Sequence, residues 1–129
     1  MSFAWTRYLE LAKELAGKPV TTEGREAKLR SAISRAYYAA FHEARDFLVT
    51  TQGPLPYNVN EHQYVKNWYL DQRDRLRAQV GNDLNRLRQD RNRADYVDEW
   101  SGGIGALDKT VEATLIIAAR IIANIGQLA

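Results

Sequence analysis

The stretch from Ser31 to Leu48, SAISRAYYAAFHEARDFL, constrains this chain more than any other part of it. With Leu29 just before it, the segment sets Ile33, Ala36, Tyr37, Ala40, Phe41, Ala44 and Leu48 at steps of three and four, which gathers them on one face of a helix. That face belongs in a core. Between those positions stand Arg35, Tyr38, His42 and Arg45, a second stripe too polar and too aromatic for ordinary solvated surface. It calls for a partner.

Four or five helical patterns follow one another, and no alternating strand pattern competes with them. The first runs from about Phe3 to Ala16, with Trp5, Leu9, Ala12 and Leu15 as its buried face, and stops at Gly17 before Pro19 and a Val-Thr-Thr turn. The second begins near Glu23 and continues to about Val49, making it the spine of the fold. Gly53, Pro54, Pro56 and Asn58 form a loop, after which Asn60 caps a third helix whose first turn carries Glu61. That helix uses Val65, Trp68, Tyr69 and Leu76 and is expected to end before Gly81; a fourth then starts on Asn82 and runs through Leu84 and Leu87 to about Ala94. A WSGG loop at Trp100 to Gly103 leads to a last helix from about Ala106 to Leu128, its apolar side formed by Leu107, Val111, Leu115, Ala118, Ile122 and Ile125 and widened by Ile117 and Ile121.

Short connections between long amphipathic helices favour antiparallel neighbours, so the expected fold is all-α, an up-and-down bundle of four to five helices. At 129 residues, the whole chain reads as one domain. The absence of cysteine closes disulfide staples, thiolate metal sites and cysteine nucleophiles. No metal site and no cofactor are expected, since two histidines and scattered acids make no ligand pattern and no glycine-rich loop precedes Lys-Ser or Lys-Thr. The N-terminal MSFAWTRYLELAKELAG is interrupted by Arg7, Glu10, Lys13 and Glu14 and so is no signal peptide, which points to the cytoplasm. The C-terminal run, broken by Arg120 and Asn124, reads as too short and polar to span a bilayer.

Net charge is only +2, yet Arg73, Arg75, Arg77, Arg86, Arg88, Arg91 and Arg93 face just Asp74, Asp83 and Asp90 within one segment. Guanidinium suits phosphate, although such a segment is also consistent with a solvated helix face laced by intrahelical pairs. If the helices alternate, the end of the second, the start of the third, the end of the fourth and the start of the fifth share one pole. His42, Arg45, His62, Arg91, Asp95 and Tyr96 would then meet, a set able to bind a phosphodiester and move protons. The plainer alternative pairs Arg91 with Asp95 one turn on and leaves His62 as a satisfied residue of its first turn.

SRAYYAAFHEARDFL, His62 opening the next helix, and RNRADY ending the fourth together resemble the HEPN domain superfamily, in particular stand-alone prokaryotic members with an SRAYYA-type helix, a downstream histidine and an R-x-x-A-D-Y ending. The resemblance implies an all-α bundle, a homodimer, and a partner in a minimal nucleotidyltransferase, the pair acting as toxin and antitoxin. It also implies metal-independent ribonuclease activity in many relatives. There, an arginine is followed roughly four to six residues on by a histidine, and two protomers bring these together at a dimer groove. This chain departs from that pattern, because Arg88 and Arg91 are followed by Asp95 and Tyr96 and no histidine lies beyond His62. A phenol with an ordinary pKa near about 10 does not replace an imidazole near about 6.5 at neutral pH. Either His62 or His42 takes the role from another helix, or the groove binds RNA, a nucleotide or the partner without cutting. On this reading His62, Arg91, Asp95 and Tyr96 are the candidate catalytic residues, and Arg35, Tyr38, His42, Arg45 and Arg88 the candidate binding residues.

Overall fold

Every predicted apolar position of the Ser31–Leu48 stripe is buried: Leu29, Ile33, Ala36, Tyr37, Ala40, Phe41, Ala44 and Leu48. The structure, a computed structural model, describes residues 3–17 and 22–129. It contains five helices: α1 (Thr6–Gly17), α2 (Thr22–Gln52), α3 (Glu61–Leu70), α4 (Arg75–Tyr96) and α5 (Gly103–Leu128). Among the described residues there is no strand. Pro19 and the turn expected around it lie outside them. At 31 residues, α2 is longer than its sequence pattern suggested. It packs against each of the other four helices, and its Ala32, Ala36, Ala39, Ala40 and Ala44 are small enough to admit close neighbours on more than one side.

The expected boundary at Gly81 is wrong. The third helix ends at Leu70, and Asp74, not Asn82, caps α4 by accepting a hydrogen bond from the Arg77 amide at 3.0 Å. Gly81 sits inside α4 and is buried; a Cβ there would lie 2.7 Å from the Leu70 backbone nitrogen. The glycine therefore permits α3 and α4 to cross closely, a packing reason rather than a helix stop. Asn60 caps α3 as expected, accepting from the Gln63 amide at 3.1 Å.

Side-chain pairs give the directions. Trp5 meets His42 and Tyr8 meets Arg35, so α1 runs against α2. Arg30 donates to the carbonyls of Ala94, Val97 and Asp98, and Arg25 pairs with Asp108 at 2.7 Å. The end of α4 and the start of α5 thus lie beside the start of α2, not beside its end, which corrects the shared pole anticipated from sequence. His62 meets Tyr37 while Tyr69 donates to the Ala44 carbonyl at 2.7 Å, so α3 runs along α2 in the same direction. The loop over residues 53–60 carries the chain back along α2 before α3 begins, and the start of α3 consequently sits midway along the spine.

The last helix buries Leu107, Val111, Thr114, Ile117, Ala118, Ile121 and Ile125, whereas Leu115 and Ile122 are half-buried and Ile116 is 66 % exposed. Its 26 residues are long and apolar enough to cross a membrane by length and composition, so the expectation that the segment is too short and polar to do so fails. Packing against α2 and α4 and an ion pair from Arg120 to Asp83 place it in the bundle.

Candidate functional site

A buried tyrosine hydroxyl must find a partner, and the one on α2 finds a histidine on α3. Tyr37 is 1 % exposed, and its hydroxyl lies 2.6 Å from Nδ1 of His62. The His62 ring, in the first turn of α3, stacks on Phe41 with centroids 4.3 Å apart. Burial pushes the Tyr37 phenol far above its usual range, with nearby Arg91 and Arg88 only partly opposing the effect, so the hydroxyl keeps its proton. Burial also holds His62 below the usual imidazole range, reinforced by Arg91 and then Arg88. The Tyr37 hydroxyl has no other acceptor among the described residues, so it donates to Nδ1 of the neutral imidazole and leaves the His62 proton on Nε2.

Behind this pair lies Arg91. Only 9 % exposed, it lies close enough to the Tyr37 hydroxyl to oppose the rise in its pKa. Its guanidinium carbon stands 5.3 Å from the Tyr37 ring centroid and 5.5 Å from that of Tyr38. Asp95 approaches it at 3.5 Å, the one-turn pair of the plainer sequence reading. The Nε groups of Arg91 and of Arg88, one turn earlier, are buried without a hydrogen-bond partner among the described residues. Two guanidinium groups therefore impose a positive potential on the Tyr37–His62 pair.

In front of the pair opens a cleft of about 410 Å³, lined by Tyr38, Phe41, His42, Asn60, Glu61 and His62. At His42 the indole of Trp5 stacks on the imidazole, centroids 3.6 Å apart and rings 11° from parallel. Burial holds the His42 pKa below the usual range. Arg45 is tied to Glu61 at 2.6 Å. Arg35 stands 4.9 Å from the Tyr8 ring centroid and is absent from the cleft lining. The polar and aromatic stripe of α2 thus has several partners: α1 for Arg35, Trp5 just before α1 for His42, α4 for Tyr38 and α3 for Arg45.

Of the residues singled out from sequence, Tyr38, His42 and His62 line the cleft, Arg45 joins it through Glu61, and Arg88, Arg91 and Asp95 lie behind it. Tyr96, the last residue of α4, is 76 % exposed and outside the lining. Sequence reasoning treated Tyr37 and Phe41 as core only and did not single out Asn60 or Glu61 as site residues. The signal for Tyr37 was available, because a phenol within a buried stripe has to place its hydroxyl and this chain has few acceptors as good as a histidine. No group of three or more acidic or histidine side chains able to hold a metal occurs among the described residues.

No curated protein and no solved structure matches the chain. A family model described as the HEPN domain matches residues 21–127, which takes in α2 to α5 and leaves α1 outside, and the chain therefore belongs to the HEPN family.

Proposed function

We propose that this protein is an RNA-binding HEPN component of a cytoplasmic toxin–antitoxin or defence pair, holding an RNA or nucleotide phosphate at the His62 cleft. The observation that carries the reading is the 2.6 Å contact between Tyr37 and His62 Nδ1. With Nδ1 committed to the phenol, His62 offers an N–H donor from Nε2, suited to a phosphate oxygen. Arg88 and Arg91 supply positive potential from behind, where low dielectric strengthens it. A homodimer and a minimal nucleotidyltransferase partner are part of this proposal on the strength of family membership.

The same hydrogen bond sets the terms of a second reading, a metal-independent endoribonuclease. A neutral His62 with its proton on Nε2 is neither an acid of useful strength nor a free base toward the cleft. Cleavage would require the proton to move to Nδ1, with Tyr37 turning its own O–H away from His62. What favours this reading is that His62 stays uncharged at neutral pH and so able to accept a proton after that shift.

Incubation of the purified protein with total RNA in EDTA separates the two readings. Wild type is expected to retard RNA on a native gel without shortening it, and His62→Ala to lose the retardation. Shortening by wild type that disappears in both His62→Ala and Arg91→Ala would establish the ribonuclease instead. Absence of any RNA interaction would overturn both.

A further inference from the structure

The two faces of α3 do different things. One face, Val65 and Tyr69, is buried in the core, with His62 at its start. The opposite face lines an open groove of about 420 Å³ with Asn60, Gln63, Tyr64, Asn67, Trp68 and Asp71. Steps of three and four put these residues in one row about 16 Å long. Asn60 lines both this groove and the His62 cleft, so the two adjoin at the start of α3.

The chemistry of the groove differs from that of the cleft. None of its lining residues is cationic, so nothing in it is built for phosphate. It offers instead two half-buried aromatic rings, three carboxamides, one carboxylate and the side chain of Val59. The side chains of Gln63, Asn67 and Asp71 are exposed and carry no hydrogen bond or ion pair to other described residues. Aromatic faces beside unpaired amides suit a nucleobase, stacked on one side and read along its edge on the other. The platform is firm, because Tyr69 is bonded to α2 and Leu70 is in close contact with Gly81 of α4.

We propose that this outer face of α3 is a base-reading subsite, selecting bases that carry an exocyclic amine over uracil. The inference rests on RNA binding at the His62 cleft and extends it: a strand whose phosphate sits at His62 runs along α3 and places a base about two nucleotides further on beside Asp71, roughly 13 Å along the helix. Asp71 sets the preference. A carboxylate only accepts hydrogen bonds; adenine, cytosine and guanine each offer it an exocyclic amine, whereas the one donor on the edge of uracil, N3–H, lies between two carbonyl oxygens whose lone pairs repel the carboxylate. Asn67 and Gln63, able to donate and accept, contribute affinity for every base.

Fluorescence anisotropy with labelled short oligo(A), oligo(C) and oligo(U) tests this on the full-length protein. Oligo(A) and oligo(C) are expected to bind about tenfold more tightly than oligo(U). Asp71→Ala should erase that difference, and Asn67→Ala should weaken all three; both positions are exposed, so folding is not at stake. Trp68→Ala should weaken all three about tenfold, with circular dichroism confirming that the helices remain. Equal affinity of wild type for the three oligonucleotides, or an unchanged preference in Asp71→Ala, overturns the subsite. If His62→Ala then still weakens binding, phosphate binding at the cleft stands and only the base-reading inference fails; if no oligonucleotide binds, both fail. Indifference to RNA together with capture of a peptide on this face would assign the groove to a protein partner and also reject the proposal.

Discussion

Two charged side chains of α4 are buried, and their surroundings are unlike. Asp83, 4 % exposed, accepts from Arg120 Nε at 2.8 Å, from Arg120 Nη2 at 2.7 Å and from Gln79 at 3.1 Å. Arg91, 9 % exposed, has a carboxylate only at 3.5 Å, two tyrosine rings beneath it, and an Nε with no partner among the described residues. A buried charge whose hydrogen-bonding capacity is filled fixes a seam, here between α4 and α5. A buried charge only partly satisfied remains a source of field, here directed at Tyr37 and His62. The contrast separates a structural ion pair from a polar cluster beside an open cleft.

The largest effect should come from breaking the satisfied side. Arg120→Met strands the Asp83 carboxylate in the α4–α5 seam and is expected to cost about 3 kcal/mol in urea unfolding. Arg91→Met removes a cation that was never fully paired and should cost no more than about 1 kcal/mol, while abolishing RNA retention. Equal losses of stability would erase the distinction between the two sites.

A smaller effect is expected at the hydroxyl that bonds to His62. Tyr37→Phe keeps the ring in the core but removes the donor to Nδ1, for about 1 kcal/mol of stability. Because that bond favours neutral His62, its loss should raise the His62 pKa, which NMR titration of the imidazole would detect. A titration that does not move would mean that the hydroxyl is not bonded to the ring in solution.

The smallest effect is the pH dependence. His42 and His62 both bind their protons less readily folded than at the usual value of 6.5. The unfolded chain therefore takes up protons first as pH falls, and stability declines below about 6.5 until the folded pKa values are passed, then levels off. Each histidine contributes at most about 1.4 kcal/mol per pH unit, and partial exposure keeps it well below that ceiling. His62→Gln should flatten the profile between pH 5 and 7 relative to wild type, as followed by thermal melts. A profile that keeps its slope would mean that His62 is not desolvated.

The helices were legible where their apolar stripes were unbroken. Leu29 to Leu48 on α2 and Leu107 to Ile125 on α5 carry enough periodic signal to mark both the element and its buried face. The α3–α4 boundary was not legible, because a glycine that ends a helix and one that admits a neighbouring helix are the same residue; only the position of Leu70 against Gly81 tells them apart. The site was legible in part. His62, Arg91 and Tyr38 stood out by residue type, and the structure brings them around Tyr37, whereas Arg35 of the same stripe turns to Tyr8. The stacking of Trp5 on His42 and the bond from Tyr37 to His62 depended on how α1 and α3 lie across the spine.

Local repetition along the chain settled the helical class, the spine and most of the core, since a turn of 3.6 residues places each side chain relative to neighbours three and four away. Tertiary packing alone decided that α3 runs with α2 rather than against it, that the end of α4 returns to the start of α2, and that the cleft opens midway along the bundle instead of at a pole. Helix direction and crossing depend on contacts between residues far apart in the chain, and no periodicity within a segment records which distant segment it will meet.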